Sequence, residues 1–362
     1  MQEQIAEPSS GCDCSETAEA LRSCFPVDVP PPLSVSLRQR LAPYRHDLAL
    51  LTVVLIWGIN FAVLKAALVE VHPHVLNIFR FAVSALVLGG LFARRVDYDA
   101  AAFLQPLRDQ FYTIVGLGLL GYLFYQLFFI LGVAHTTAGS AALIMAGAPL
   151  WTALFGHVFG FDRMVPAGWL GLGFTLVGTA VIVFGGTDEV AFGSDVFLGN
   201  ALMVMAALLW GAYTAFNKPA TQRADPIGLT FWGVIVAFPF LVAIGLPYAA
   251  ADEGLVISGW VWAAIIFSGG LSTGWAFAVW NTAVHKVGPS QTAIYGNLVP
   301  VVALLSGLLM LGEPIWPLQL AGGALIIGGL ILTRWARHTR EAAAAVPSTE
   351  PLASSDAPHD QP

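Results

Sequence analysis

Ten apolar stretches follow one another between residues 48 and 335. They occupy 48–69, 75–93, 111–132, 137–157, 167–185, 196–217, 227–247, 260–280, 290–311 and 317–335. Each is close to the ~20 residues that a helix needs to cross a ~30 Å hydrocarbon core. No water reaches that core, so backbone N–H and C=O groups must be satisfied within the segment or within a closed barrel. The runs are continuous and lack the alternation of a membrane strand, which selects helices. The breaks carry helix punctuation: His72-Pro73-His74, Gly185-Gly186-Thr187-Asp188, Asp225-Pro226, Asp252-Glu253-Gly254, Gly288-Pro289 and Glu313-Pro314. Proline suits a helix's first turn, where its missing N–H has no intrahelical partner anyway. The expectation is an all-α polytopic membrane protein with ten transmembrane helices.

Composition agrees. Hydrophobic residues make up 57% of the 362 and charged residues 11%, against about 45–50% and about 25% in soluble domains. A net charge of -7 without a basic stripe excludes nucleic acid as a partner. Cys12, Cys14 and Cys24 have neither disulfide-framework nor metal-site spacing. Residues 1–47 and 336–362 have the composition of disordered tails, and the first of them lacks the apolar run of a signal peptide.

Charge sets the orientation. With the N-terminus cytoplasmic, fourteen of the sixteen Lys and Arg residues fall on the inner side and none in the outer loops. The remaining two, Lys65 and Arg80, lie within spans. This is the positive-inside pattern, and it predicts a multi-pass protein of the cell (inner) membrane with both termini cytoplasmic.

The chain also repeats itself. Trp57-Gly58, Lys65 and Pro73 recur 153 residues later as Trp210-Gly211, Lys218 and Pro226. Pro149, Asp162, Gly171 and Gly178 recur 151 residues later as Pro300, Glu313, Gly322 and Gly329. The repeats are 48–185 and 196–335, with five spans each. An odd number inverts the second half relative to the first, the inverted-repeat architecture of many secondary transporters.

Trp57-Gly58-x-Asn60-Phe61, Arg80 early in the second span, and the closing Leu311-Gly312-Glu313-Pro314-x6-Ala321-Gly322-Gly323-x4-Gly328 carry a resemblance. Two tandem five-helix halves with these residues resemble the EamA-like family of the drug/metabolite transporter superfamily. The first half departs from it at the closing motif, with Phe161-Asp162-Arg163. The resemblance implies a secondary transporter exporting a small amphipathic metabolite, an amino acid or related compound, by alternating access. Its partners are then a small-molecule substrate and the lipid bilayer, with a second copy of the chain as a candidate. A membrane-embedded enzyme or a channel or receptor is the alternative. No metal pair, nucleophile elbow, Walker motif or charge ring supports it. No cofactor, metal or catalytic residue is expected.

Several polar and aromatic residues stand within or at the ends of spans. Arg80 and Lys65 are candidates for a site or gate, set against snorkelling to the surface and, for Lys65, pairing with Glu70. Asn60, Gln126, Tyr213, Tyr295 and Asn297 must find hydrogen-bond partners in neighbouring helices or line a wet cavity. Trp57, Trp151, Trp210 and Trp275 lie deep enough to stack on an amphipathic substrate. Trp280, at a span end, reads as an interfacial anchor. Pro149 and Pro300 predict kinks in corresponding spans, the best sequence pointer to a transport site. Gly171, Gly178 and Gly185, with Gly322 and Gly329, form small-residue stripes for close packing. No Asp or Glu lies mid-span, which favours neutral, zwitterionic or anionic solutes.

Overall fold

A computed structural model describes residues 45–161, 166–185, 194–251, 256–287, 295–296 and 298–345. Of the tails expected to be disordered, 1–47 and 336–362, residues 45–47 and 336–345 are helical, and the rest lie outside the described residues, as do the three cysteines, Asp162 and Asn297. The chain divides into Met1–His46 and Asp47–Pro362. Apart from the first two residues of α1, every helix named below belongs to the second unit.

The described residues are helical throughout, with no strand among them. The first repeat comprises α1 (Arg45–Ala67), α2 (Pro73–Arg95), the short α3 (Ala100–Asp109), α4 (Phe111–His135), the half-helices α5 (Ala138–Met145) and α6 (Ala148–Val158), and α7 (Pro166–Gly185). The second comprises α8 (Asp195–Thr221), α9 (Pro226–Ala251), α10 (259–287), α11 (Val299–Leu311) and α12 (Pro317–Ala345).

Local chemistry sets the helix starts. The Ser194 and Thr137 hydroxyls accept from the N–H groups of Phe197 and Ser140, capping α8 and α5. Asp225 accepts from Ile227 and Gly228 at the head of α9 and also pairs with Arg95 at the end of α2.

Eight helices among the described residues are long and apolar enough to span a membrane: α1, α2, α4, α5 with α6, α7, α8, α9 and α10. The ten full-length spans expected are therefore not all seen. Part of the ninth stretch lies outside the described residues. Val299–Leu311 and the apolar part of α12, Pro317–Thr333, are shorter, at 10–17 residues. The helix α12 itself runs past the expected end at 335 to Ala345, through Glu341 and four alanines, all strong helix formers.

Pro149 and Pro300 do more than kink. The first half's span breaks at Ala146-Gly147, and Pro149 occupies the first turn of α6. A proline there has no N–H to give the Met145 carbonyl, so the helix ends and restarts. Pro300 holds the corresponding place in the first turn of α11.

The glycine stripes bring α7 and α12 together antiparallel, with Gly171 against Gly329 and Gly178 against Gly322. A Cβ on Gly178 would stand 2.5 Å from the Gly322 carbonyl oxygen, and one on Gly322 would stand 2.7 Å from that of Gly178. Only glycine permits this approach. The inner contacts are paired in the same way. Gly58 of α1 lies against Val302 and the Val299 carbonyl of α11, whereas its mate Gly211 of α8 lies against Trp151 and the Ala148 carbonyl of α6. A Cβ would meet the carbonyl at 3.1 Å in both cases. Both spans that come after the second helix of a repeat also loosen into π-helix, at Leu119–Phe124 in α4 and Ile266–Trp275 in α10.

Candidate substrate cavity

These elements line a partly open cavity of about 200 Å³ between α1, α2, α4, α5, α6, α8 and α10, with the first turn of α11 at its wall. Seven of its twenty described wall residues are aromatic, and their rings form a series. Trp280 packs on Trp57 with centroids 4.9 Å apart, Trp57 on Phe277 at 5.5 Å, Phe277 on Trp210 at 5.4 Å, and Trp210 on Tyr125 at 4.9 Å. Phe129 and Phe61 continue the series at 5.5 and 5.6 Å. Offset and edge contacts of this kind add about 0.5–1.5 kcal/mol each beyond burial and hold the rings in fixed planes. The indole N–H of Trp57 donates to the Ser272 carbonyl at 3.1 Å, which fixes that ring's orientation.

Arg80 is the one charge among the described wall residues, and only 2% of it is exposed. Its Nε donates to the Ser268 hydroxyl at 2.8 Å, and its Nη1 to Asn77 Oδ1 at 2.8 Å. Asn77 lies one helical turn earlier on α2, and Ser268 comes from the π segment of α10. A guanidinium at mid-helix costs about 2.5–3.5 kcal/mol on insertion scales. Two neutral acceptors offset part of that cost but do not neutralise the charge. No Asp or Glu among the described residues lines the cavity.

Two amides in the wall are unsatisfied. Asn60 Oδ1 and Gln126 Oε1 are buried with no hydrogen-bond partner among the described residues. A buried polar atom left unpaired costs about 1–3 kcal/mol, and such groups at a cavity wall are suited to a ligand or water.

Trp57, Asn60, Arg80, Gln126, Trp210, Pro149 and Pro300 thus meet in one cavity. Other residues expected there lie elsewhere, each for a visible reason. Lys65 donates to the Ala134 carbonyl at 2.7 Å at the end of α4, not to Glu70, and sits apart from the cavity. Tyr213 shares a 2.6 Å hydrogen bond with the buried Tyr122 hydroxyl, and its ring fills the space that Gly121 leaves. Trp151 is turned against Gly211 in the α6–α8 contact. Trp275 packs in a small cluster with Val53 and Ile56. Tyr295 is half-buried beside Gly296, which does reach the wall.

Trp280 lines the cavity, which corrects its reading as an interfacial anchor. Tyr125, Phe129, Phe61, Phe277, Met145, Ser272 and Thr273 line it too, beyond the residues that the sequence marks out. Helical spacing groups several of them on shared faces without showing where those faces point. Phe61 is four residues after Trp57, Phe129 is four after Tyr125, and Phe277 and Trp280 are four and seven after Thr273, all on shared faces.

The EamA-like transporter family matches this chain twice, at residues 45–184 and 197–335. A protein of Streptantibioticus cattleyicolor named "Probable terminal-alkyne amino-acid exporter" is 28% identical over 289 residues, 78% of this chain and 91% of that one. Proteins named "Probable amino-acid metabolite efflux pump" are 25% identical in Salmonella typhimurium, over 81% of this chain and 96% of that one, and 26% identical in Escherichia coli K12, over 81% and 95%. One crystal structure superposes with a TM-score of 0.58 at 19% identity, covering 83% of this chain and 99% of that one, a likeness of fold alone. Two tandem matches covering most of the chain, on a helical multi-pass fold, make it a transporter and not an enzyme: the chain belongs to the EamA-like transporter family.

Proposed function

We propose that this protein exports a small amphipathic metabolite bearing a carboxylate, an amino acid or a related compound, by alternating access through the cavity around Arg80. The observation that carries this reading is Arg80 itself: a buried cation at the cavity wall, held by neutral acceptors, with no acid beside it among the described residues. A substrate carboxylate supplies the missing charge and suits the planar guanidinium fork. Asn60 and Gln126 offer unpaired amide groups to the substrate's polar atoms. The aromatic series from Trp280 to Tyr125 takes its apolar part, and an ammonium group also lies well over such rings. The names of the related exporters point the same way.

The reading includes ten spans in two inverted repeats, in the cell (inner) membrane with both termini cytoplasmic. The antiparallel α7–α12 pair and the matched Gly58 and Gly211 contacts support the inversion. The one-sided distribution of Lys and Arg supports the orientation.

The test is transport in proteoliposomes across a panel of amino acids, normalised to folded protein. Arg80→Ala is expected to lower transport roughly 30-fold or more, since losing one partner of a buried charge pair costs about 2–5 kcal/mol. Arg80→Lys, which keeps the charge and loses the fork, should fall between that variant and wild type. Wild-type rates in Arg80→Ala would move the site to the aromatics alone.

A further inference from the structure

The cavity wall is held from one end by a contact between the repeats. The half-helix α5 contributes Ala142 and Met145 to the cavity, and its first turn lies at the far end, beside the α11–α12 connector. Glu313 in that connector accepts from the Ala138 N–H through both carboxylate oxygens, at 2.9 and 3.2 Å. Gln319, only 1% exposed, takes its orientation from the Trp316 N–H, which donates to its Oε1 at 3.0 Å. Its Nε2 then donates to the hydroxyls of Thr137 at 3.2 Å and Ser140 at 2.8 Å, across the cap and first turn of α5. Gly307 makes room, since a Cβ there would stand 2.9 Å from Glu313 Oε2. Lys65 closes the group from α1: it donates to the Ala134 carbonyl and acts electrostatically on the Glu313 carboxylate.

In the inverted-repeat reading proposed above, the sequence mates of these residues, 151 positions away, are expected on the opposite face. Glu313 corresponds to Asp162, Gln319 to Gly168, Thr137 to Gly288 and Ala138 to Pro289. Asp162 is a methylene shorter, Gly168 has no amide, Gly288 has no hydroxyl, and Pro289 has no N–H to donate. The bonds from Glu313 to the Ala138 N–H and from Gln319 to the Thr137 hydroxyl therefore have no equivalent at the mate positions, whereas Ser140, the third partner, corresponds to the polar Gln291.

We propose that Glu313 and Gln319 form a latch, present on the outer face only, that positions α5 and biases the unloaded carrier toward the state closed to the outside. The latch rests on the alternating-access reading and orientation above. An exporter gains from this bias, because an empty carrier closed to the outside offers its cavity to the cytoplasm. Glu313 and Gln319 are positioning residues here; they touch α5, not the cavity.

The experiment uses the full-length chain with Cys12, Cys14 and Cys24 replaced by Ser and one reporter, Met145→Cys, at the cavity wall. A membrane-impermeant maleimide is applied from the outside in the absence of substrate. Glu313→Ala should raise the labelling rate roughly tenfold to a hundredfold, the factor expected for loss of a charge-assisted hydrogen bond. Gln319→Ala should raise it less, and Glu313→Gln, which keeps an acceptor for the Ala138 N–H but loses the charge, should fall between the parent and Glu313→Ala. Asp162→Ala should not raise it at all. Size-exclusion profiles select folded protein, and Gln319→Ala carries the test if Glu313→Ala does not fold. Unchanged labelling in the folded Glu313 and Gln319 variants, or an equal rise in Asp162→Ala, would overturn the latch. Labelling needs no substrate, so failure of the Arg80 reading leaves this result standing, and failure of the latch leaves Arg80 untouched.

Discussion

Among single residues, Glu313 carries the clearest pH dependence. Burial pushes its carboxyl above the ordinary range, against the opposing pull of the Ala138 N–H and Lys65. The closed latch therefore binds the proton more tightly than an open one that exposes the group, and acid favours closure. Outside labelling of the Met145→Cys reporter, divided at each pH by the rate of a free thiol to remove the loss of thiolate, should slow as external pH falls from neutral toward the ordinary carboxylate value of about 4.3. With Lys65 left in place, Glu313→Gln should flatten that dependence; an unaltered pH profile in Glu313→Gln would assign it to another group. The sequence marks Glu313 as part of a motif, whereas its bond to Ala138, 175 residues away, exists only in the fold. Other residues divide in the same way. Arg80, Asn60, Gln126 and Trp57 stand out because a polar or amphipathic group in a long apolar run must be satisfied by something. Lys65 stands out too, but its partner is a backbone carbonyl that no pattern of side chains reveals. Tyr125, Phe129 and Phe277 do not stand out, because a ring within an apolar span looks alike whether it faces lipid, core or cavity.

At the scale of elements, the matched prolines mark the right spans and understate the outcome. A lone proline in an apolar run reads as a kink. The break at Ala146-Gly147 also needs α8 packed against α6, where Gly211 admits Trp151 and the Ala148 carbonyl, and that contact is tertiary. The π segments are not legible in the sequence either, since Ser268, Ser272 and Thr273 look like ordinary small polar residues of a span. Their widened turn presents Ser268 to Arg80 and Ser272 and Thr273 to the cavity, a frequent use of π-bulges. Pro149→Ala should let the helix run on through the break at Ala146-Gly147, and Pro300→Ala restores an N–H in the first turn of α11. Transport per folded protein is expected to drop about tenfold, while thermal stability stays level or rises. Each proline stands in the first turn of its helix, where its missing N–H costs little, so no large change in stability is expected. Wild-type transport in both variants would reduce the prolines to packing.

At the scale of the whole molecule, the sequence period carries most of the architecture. Offsets of 153 and 151 residues pair helix with helix, and the contacts repeat at those offsets. Gly269 lies against the Arg80 backbone carbonyl, and its mate Gly118 lies against that of Gly233, where a Cβ would stand 2.9 Å from the oxygen. Symmetry is given up at the site itself. Arg80 has Gly233 as its counterpart, so the described wall of the cavity holds one cation where strict duplication would give two. Glu313 and Gln319 have no competent counterparts either. A carrier must present one site to both faces, and the proposed binding group and latch are both departures from the repeat. Arg80 as the carboxylate-binding group is the central claim, and ligand binding to purified protein bears on it most directly. The measurement compares an α-amino acid with its methyl ester, on wild type and on Arg80→Ala. Wild type should prefer the free acid at least about tenfold, and Arg80→Ala should bind acid and ester alike. Equal binding of acid and ester by wild type, or a preference that survives in Arg80→Ala, would contradict it.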